Sequence, residues 1–325
     1  MVRAIFISNE NASAGIIGDF KYSVVHGLRL DLYQKPGPKA IFPRRLDFTG
    51  EEFAGVSAFI PYPARRLLIL MAIERVNVLG VGISVINLQT ALAAIADAVG
   101  QRRKGYICVT GVHGVMEAQK DEKFRKILNQ AFLCTPDGMP MVWAGRLHGH
   151  RAMRRVYGPD LMLDVCAWSE KKSCRHFFFG GAPRAAEQLR DRLIVRFPDL
   201  QVVGCHAPPF RPLEAAEKMQ LQEVIRAARP DILWVGLSTP KQERFMAEFL
   251  PQLEVTLMIG VGAAFDFHAG RVKQAPRWMQ RSGLEWFYRL CREPRRLAMR
   301  YLRNNPLFLM KIAGQFLGLK RYPLE

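Results

Sequence analysis

The sequence predicts a doubly wound α/β fold with a mostly parallel sheet. From residue 74 onward, short apolar runs alternate with helical patterns. Strands separated by helices pair in parallel, because each crossover returns the chain to the same edge of the sheet. A length of 325 residues, 49% of them hydrophobic, supplies the core that such a sheet needs. We therefore expect a Rossmann-like core, followed by a basic amphipathic helical appendage.

The individual elements of this core are predicted from local signals. The run 75–80 is predicted as a strand, and Asn87 as the start of a helix. Pro159 and Pro183 mark two more helix starts, because proline fits the first turn of a helix. Further strands are predicted at 106–110, 131–135, 176–179, 200–205, 232–236 and 255–260, and further helices at 115–128, 212–228 and 240–250.

The chain divides into three predicted segments. Residues 1–73 contain several prolines and no sustained hydrophobic period, which predicts a loosely structured extension of unknown role with a short helix at 64–73. Residues 74–273 form the α/β core. In residues 274–325, aromatic and aliphatic side chains interleave with arginines, which predicts short amphipathic helices divided by Pro294 and Pro306.

The charge of the chain points to an anionic partner. Lys and Arg number 47 against 29 Asp and Glu, a net charge of +18, and residues 271–325 hold 13 Lys and Arg against three acids. The longest apolar run, 67–73, is far shorter than the roughly 20 residues of a membrane-spanning helix. Residues 1–6 lack the apolar core of a signal peptide, and the six cysteines form no Cys-x-x-Cys pair. These features predict a cytoplasmic protein that is soluble or peripherally bound to a membrane.

The basic appendage favours an anionic membrane surface as its partner. Each Lys or Arg near such a surface contributes about 1 kcal/mol, and aromatic residues suit the interface. A basic helix packed on its own core, a nucleic-acid-binding protein and a non-catalytic membrane scaffold are the alternatives. Arginines at 289–303 are also candidates to close over the ligand-binding edge of the sheet. The predicted membrane-binding residues are Arg289, Arg292, Arg295, Arg296, Arg300 and Trp286.

Candidate catalytic residues lie where predicted strands end, because ligands of open parallel sheets bind beyond the carboxyl ends of the strands. Asp137 stands between a proline and a glycine after an apolar run. It is either a helix N-cap or a general base that deprotonates a hydroxyl. Arg155 lies in a basic loop before a predicted helix, where it either grips a phosphate or is solvated.

Three glycine-containing loops are candidate phosphate sites, because glycine lets backbone donors approach an anion. The first contains Gly180 and Gly181, and the second runs from Gly236 to Lys241 and Gln242. The third, 260–270, superficially resembles a dinucleotide fingerprint, but a phenylalanine occupies its sixth position. The sequence contains neither Asp-x-Asp nor a His/Cys ligand spacing, which predicts chemistry without a metal or a cofactor.

Four of these segments together resemble a known family. Residues 135–140 (Thr-Pro-Asp-Gly-Met-Pro), 155–161 (Arg-Val-Tyr-Gly-Pro-Asp-Leu), 235–243 and 260–266 (Gly-Val-Gly-Ala-Ala-Phe-Asp) occur in the order typical of the WecG/TagA/CpsF glycosyltransferases. The resemblance covers roughly 74–309. It implies an inverting, metal-independent, peripheral membrane enzyme of bacterial surface polysaccharide or wall polymer synthesis. Such an enzyme transfers a hexose from a UDP-sugar to a polyprenyl-pyrophosphate-linked acceptor.

The resemblance also implies roles for single residues. Asp137 would be the catalytic base, and Arg155 would stabilise the UDP leaving group. Thr110 matches a threonine at a strand end, but this chain continues Gly-Val-His where the family often has an asparagine, so the donor is either N-acetylmannosamine-type or glucose-type. Donor or acceptor binding is expected at Thr110, Gly180, Gly181, Gly236, Lys241, Gln242, Gly262 and Asp266.

Overall fold

A four-stranded antiparallel sheet lies in the first of two compact units, residues 1–68. The computed structural model describes the backbone of these strands and all of residues 73–324. The strands pair in sequence order: β1 (Ile7–Asn9), β2 (Ala12–Ile17), β3 (Phe20–Val25) and β4 (Arg29–Gln34). The part of the predicted extension that these strands span, 7–34, is more regular than predicted, because short neighbouring strands pair locally without needing a long hydrophobic period. The predicted helix at 64–73 lies outside the described residues, except for its last one.

A six-stranded parallel sheet forms the centre of the second unit, residues 69–325, and confirms the predicted fold class. Its spatial order is β10-β9-β11-β12-β7-β8. The bounds are β7 (Gly105–Thr110), β8 (Leu133–Pro136), β9 (Arg175–Gly180), β10 (Gln201–His206), β11 (Ile232–Gly236) and β12 (Leu257–Gly260).

Helices cover both faces of this sheet. Alternate residues of one strand enter two separate apolar clusters: Phe177 and Phe179 join one, and Phe178 joins the other. Both faces of the strand are therefore buried, as a doubly wound sheet requires. The core helices are α1 (Leu88–Gly100), α2 (Val112–Ala118), α3 (Glu122–Gln130), α4 (Met139–Leu147), α5 (Gly158–Glu170), α6 (Ala185–Arg196), α7 (Ala215–Ala228), α8 (Lys241–Phe249) and α9 (Ala264–His268).

The first predicted strand of the core is half of a hairpin. Strands β5 (Arg75–Val78) and β6 (Val81–Ser84) pair antiparallel and stand outside the parallel sheet. The chain reverses at Leu79 and Gly80, both at positive φ. After the hairpin, α1 begins as predicted, with the Asn87 side chain accepting the Thr90 N–H in a capping box.

Two helices of the core differ from the prediction. The predicted helix 115–128 is two helices, α2 and α3, because Asp121 caps the Phe124 N–H and starts a new one. Helix α4 follows Asp137 directly and was not predicted. Its sequence, Met-Pro-Met-Val-Trp-Ala-Gly-Arg-Leu, has too few polar residues to show a helical period.

The appendage folds as three helices: α10 (Arg277–Arg281), α11 (Glu285–Arg292) and α12 (Pro294–Phe316). Pro294 starts α12 as expected, but the prediction that Pro306 divides the segment is wrong, since α12 continues through it. Pro306 and Leu302, four residues earlier, are exposed, so water can solvate the carbonyl that loses its partner. Leu297 and Phe308 on α12 are buried, and Phe308 belongs to one apolar cluster of the core.

Close packing at the ends of β9 and β11 requires glycine. Gly180 has φ +124, and a Cβ there would lie 2.8 Å from backbone atoms of Gly236. We therefore expect Gly180→Ala to destabilise the protein by at least about 2 kcal/mol in denaturant unfolding. Gly100→Ala is the control, because a Cβ there meets nothing within 4 Å. Equal stability of the two variants would contradict this packing.

Candidate active site

The strand ends of the parallel sheet meet in a continuous set of loops. The backbone N–H of Asp137 donates to the Thr110 carbonyl at 2.9 Å, which joins the ends of β8 and β7. A Cβ on Gly114 would lie 3.8 Å from Thr239, and one on Gly158 would lie 3.4 Å from the Val261 carbonyl. The segments that follow β7, β8, β11 and β12 therefore lie side by side at the edge of the sheet where ligands of this fold bind.

Asp137 stands at this edge of the sheet, directly after β8. Its side chain is 31% exposed, while its Oδ1 is buried without a hydrogen-bond partner. The N-cap of the following helix α4 is Gly138, and no side chain caps that helix. The N-cap interpretation of Asp137 therefore fails, and a carboxylate oxygen remains available for chemistry.

Arg155 faces Asp137 from the loop before α5. Its Nη2 lies 3.7 Å from Asp137 Oδ1, beyond hydrogen-bond distance, and its side chain is only 14% exposed. The guanidinium also stacks 3.9 Å from the centre of the Tyr157 ring. Arg155 is therefore a fixed, buried cation, and the solvated-loop interpretation fails.

Glu285 of the appendage forms a polar cluster with the core residues Asp137, Arg155 and Tyr157. Nη2 of Arg155 donates a hydrogen bond to Glu285 Oε2, and the Tyr157 hydroxyl donates to Glu285 Oε1 at 2.8 Å. The Glu285 side chain is 15% exposed. One carboxylate from α11 thus holds two residues of the core loop, which joins the appendage to the site.

The electrostatics of the cluster favour a base near neutral pH. Burial raises the pKa of Asp137 from 3.8 to about 6; Arg155 opposes this rise and Glu285 adds to it. Burial alone would lower the pKa of Arg155, but Asp137 and Glu285 raise it. Burial and Glu285 both raise the pKa of Tyr157, which keeps its hydroxyl protonated. A carboxylate of this pKa is mostly ionised at pH 7 and still accepts a proton readily.

Gln242 and Glu243 form a second polar group at the start of α8. Both are almost fully buried, and Gln242 Nε2 donates to Glu243 Oε1 at 3.0 Å. The Thr239 hydroxyl donates to the same oxygen at 2.8 Å. Gln242 Oε1 has no hydrogen-bond partner, and a Cβ on Gly262 would lie 3.4 Å from it. Gln242 and Gly262 thus lie side by side. The Gln242 Oε1 can accept a hydrogen bond from a ligand.

Thr110 and three of the glycines predicted to bind a ligand make close contacts within the protein, and these contacts explain why small residues stand there. The Thr110 side chain is buried, and its hydroxyl lies 3.3 Å from Cys134 Sγ. A Cβ on Gly236 would overlap the Phe265 ring at 2.7 Å. Gly181 is similarly close to Ala185, and Gly180 to Gly236. Their roles in binding the donor or acceptor stay predictions.

Lys241 and Asp266 are more exposed than Gln242 and Glu243. Lys241 is exposed on the first turn of α8. Asp266 is 41% exposed, and its Oδ1 lies 4.0 Å from Arg271 Nε. Both binding assignments stay predictions. In residues 73–324 no three His, Cys, Asp or Glu side chains cluster as ligands for a metal ion.

Two of the arginines predicted to bind a membrane turn inward. The Arg289 guanidinium lies 5.7 Å from the centre of the Phe267 ring, its Nε is buried, and its charge lowers the pKa of Asp137. Arg300 is half-buried, and burial lowers its pKa. Arg292 and Arg295 are exposed, and Arg296 pairs with Glu293 at 2.6 Å. Trp286 is 38% exposed beside Tyr301.

Sequence reasoning missed Glu285, Tyr157 and Glu243 as members of the site. Tyr157 lies within a segment that carried the family resemblance, but no role was assigned to it. Residues 271–325 contain 13 Lys and Arg but only three acids, and Glu285 is one of these acids. An isolated acid in a basic amphipathic segment was a usable signal for an internal ion pair.

Comparisons with known proteins show the family to which this chain belongs. The sequence model of the glycosyl transferase WecG/TagA/CpsF family matches residues 76–322. The N-acetylglucosaminyldiphosphoundecaprenol N-acetyl-β-D-mannosaminyltransferase of Bacillus subtilis (strain 168) is 29% identical over 177 residues, 54% of this chain and 67% of that protein. The protein of the same name from Bacillus spizizenii is 29% identical over 196 residues, 60% of this chain and 74% of that protein. The chain belongs to the WecG/TagA/CpsF family and is a glycosyltransferase.

Proposed function

We propose that this protein is an inverting, metal-independent hexosyltransferase. It moves an N-acetylmannosamine-type or glucose-type hexose from a UDP-sugar to a polyprenyl-pyrophosphate-linked sugar. The observation that carries this proposal is the pair of Asp137 and Arg155 at the strand ends of the sheet, with Arg155 Nη2 3.7 Å from Asp137 Oδ1. The names of both Bacillus relatives specify transfer to a lipid-diphosphate-linked N-acetylglucosamine, which supports the acceptor class.

Asp137 acts as the general base in this mechanism. Its carboxylate takes the proton of an acceptor hydroxyl while the hydroxyl oxygen attacks the anomeric carbon of the donor. The bond between that carbon and the UDP oxygen breaks, and its electron pair leaves with UDP. Attack from the face opposite to UDP inverts the anomeric configuration.

Arg155 stabilises the charge that develops on the leaving diphosphate. Its guanidinium is buried, so its interaction with an anion is stronger than in bulk water. Arg289 of α11 adds positive charge to the surroundings of Asp137, and this charge lowers the pKa of Asp137. Lys241 at the start of α8 is a third candidate cation. These cations supply the charge stabilisation that a divalent metal supplies in other transferases.

Peripheral contact with an anionic membrane suits a lipid-linked acceptor. None of the helices described here is long and apolar enough to cross a bilayer. Exposed apolar side chains of α4 and the appendage support interfacial contact, together with the exposed arginines. These side chains are Trp143, Leu147, Trp278, Phe287, Met299, Leu302, Leu309 and Met310. The proposed location is the cytoplasmic face of the bacterial cell membrane.

Charge reversal tests the membrane surface. We expect Arg292→Glu with Arg295→Glu to weaken binding to anionic vesicles at least 30-fold, since each cation contributes about 1 kcal/mol. Co-sedimentation with phosphatidylglycerol vesicles measures this. The matched control is Lys171→Glu with Lys172→Glu, the same charge change at exposed positions after α5. Equal losses in both double variants would show a nonspecific charge effect and contradict the assigned surface.

Product stereochemistry tests the proposed reaction. From a donor with an α anomeric bond, proton NMR of the product should show a β linkage, formed at an unchanged rate in excess EDTA. A retained α linkage would contradict single-displacement inversion. A rate abolished by EDTA and restored by a divalent ion would contradict metal independence.

A further inference from the structure

We propose that Glu285 is a positioning residue that holds the Arg155 guanidinium away from Asp137 and so keeps the catalytic base free. This inference rests on the proposed function for its kinetic consequence. Its structural part, a contact between the appendage and the core loop, does not depend on which sugar is transferred.

The hydrogen bonds define the arrangement. Arg155 Nη2 donates to Glu285, whereas the same nitrogen is 3.7 Å from Asp137 Oδ1 and makes no hydrogen bond to it. Tyr157 both stacks on the guanidinium and donates to the other Glu285 oxygen. Glu285 is therefore fixed from two sides and offers Arg155 the closer of two carboxylates.

A direct hydrogen-bonded pair of Arg155 and Asp137 is the arrangement that Glu285 prevents. A guanidinium released from Glu285 would meet the buried Asp137 Oδ1, which has no other hydrogen-bond partner. A direct Arg–Asp pair strongly favours the ionised carboxylate and weakens it as a base. Glu285 prevents this by competing for the same nitrogen, and its own charge also raises the pKa of Asp137.

The charged and titratable groups around Asp137 come from several elements. Arg155 and Tyr157 lie in the loop before α5, and Asp160 lies within α5. Glu285 and Arg289 come from α11. Tyr301 comes from α12, and Asp137 contributes to its raised pKa. Among these, Glu285 is the carboxylate that accepts a hydrogen bond directly from Arg155.

The test is the pH profile of Glu285→Gln. Glutamine keeps the size of the side chain and an acceptor for Tyr157 but removes the charge. We expect the acid limb of kcat/KM to move down from about pH 6 by about one unit, with a plateau roughly tenfold lower. Glu285→Asp, which keeps the charge, should return the acid limb toward its wild-type position.

The matched control is Glu293→Gln. Glu293 carries the same charge on the same appendage but pairs with Arg296. This variant should leave both the acid limb and the plateau unchanged. A lower plateau in Glu285→Gln without movement of the acid limb would show a merely structural role and overturn the proposal. Equal shifts in both variants would also overturn it.

A second measurement separates this proposal from the proposed function. The carboxyl carbon of Asp137 can be titrated by carbon-13 NMR without substrate, with its signal assigned by its loss in Asp137→Asn. A lower pKa in Glu285→Gln supports the positioning role even if no donor reacts. An unchanged pKa overturns it even if transfer is fully confirmed.

Discussion

Asp137→Asn is expected to lower kcat for hexosyl transfer by about 10²–10⁴-fold while leaving UDP affinity within about threefold. The rate loss is the magnitude of a lost general base. Affinity should persist because the cations assigned to the diphosphate, Arg155 and Lys241, are unchanged. Steady-state kinetics at saturating donor and acceptor give the first quantity, and calorimetry with UDP gives the second.

Asp137→Asn is not expected to lower the free energy of unfolding. The raised pKa of Asp137 means that ionising it costs free energy in the folded state, a cost that grows as pH rises from about 4 to 6 and persists above. Asparagine removes this cost, so the variant should be as stable as the wild type or more stable at pH 7. Asp164→Asn, a half-buried aspartate of α5 outside the cluster, is the matched control. Wild-type turnover by Asp137→Asn would exclude Asp137 as the base.

Arg155→Ala is expected to have the second largest effect. Loss of the guanidinium should lower kcat by about 10²–10³-fold, because the proposed mechanism assigns this cation to the leaving diphosphate. Arg155 also lowers the pKa of Asp137, so its removal should move the acid limb of kcat/KM above pH 6. The pH profiles of Arg155→Ala and Glu285→Gln should therefore shift in opposite directions.

Arg155→Lys distinguishes charge from geometry. Lysine keeps the positive charge but cannot stack on Tyr157 and bond Glu285 with the same planar group. We expect a partial recovery of kcat and an acid limb close to pH 6. A wild-type acid limb in Arg155→Ala would contradict the electrostatic coupling of Arg155 to Asp137.

The sequence predicted the parallel sheet and the place of Asp137 at a strand end because both depend on local patterns; its role as the base was implied by the family resemblance and stays a prediction. The apolar runs of β7, β9 and β11 lie close to where they were expected. Asp137 was identified because a strand end in such a sheet faces the crevice. These predictions need only the period of the side chains and the direction of parallel strands.

The contacts between the appendage and the core could not be predicted in the same way. Glu285 reaches Arg155 across 130 residues of sequence. The amphipathic pattern of α12 correctly indicates a helix, but not that Leu297 and Phe308 pack inward while Met299 and Leu302 remain exposed. Which side chains of a helix are buried depends on tertiary packing rather than on local helix propensity.

Acceptor-dependent release of UDP would demonstrate the proposed hexosyl transfer itself. The wild-type protein is supplied in turn with several UDP-hexoses, with and without vesicles carrying a polyprenyl-diphosphate-linked N-acetylglucosamine. We expect one donor to release UDP only when the acceptor is present. The absence of acceptor-dependent release from every donor, by a protein that binds UDP in calorimetry, would contradict the proposed transfer.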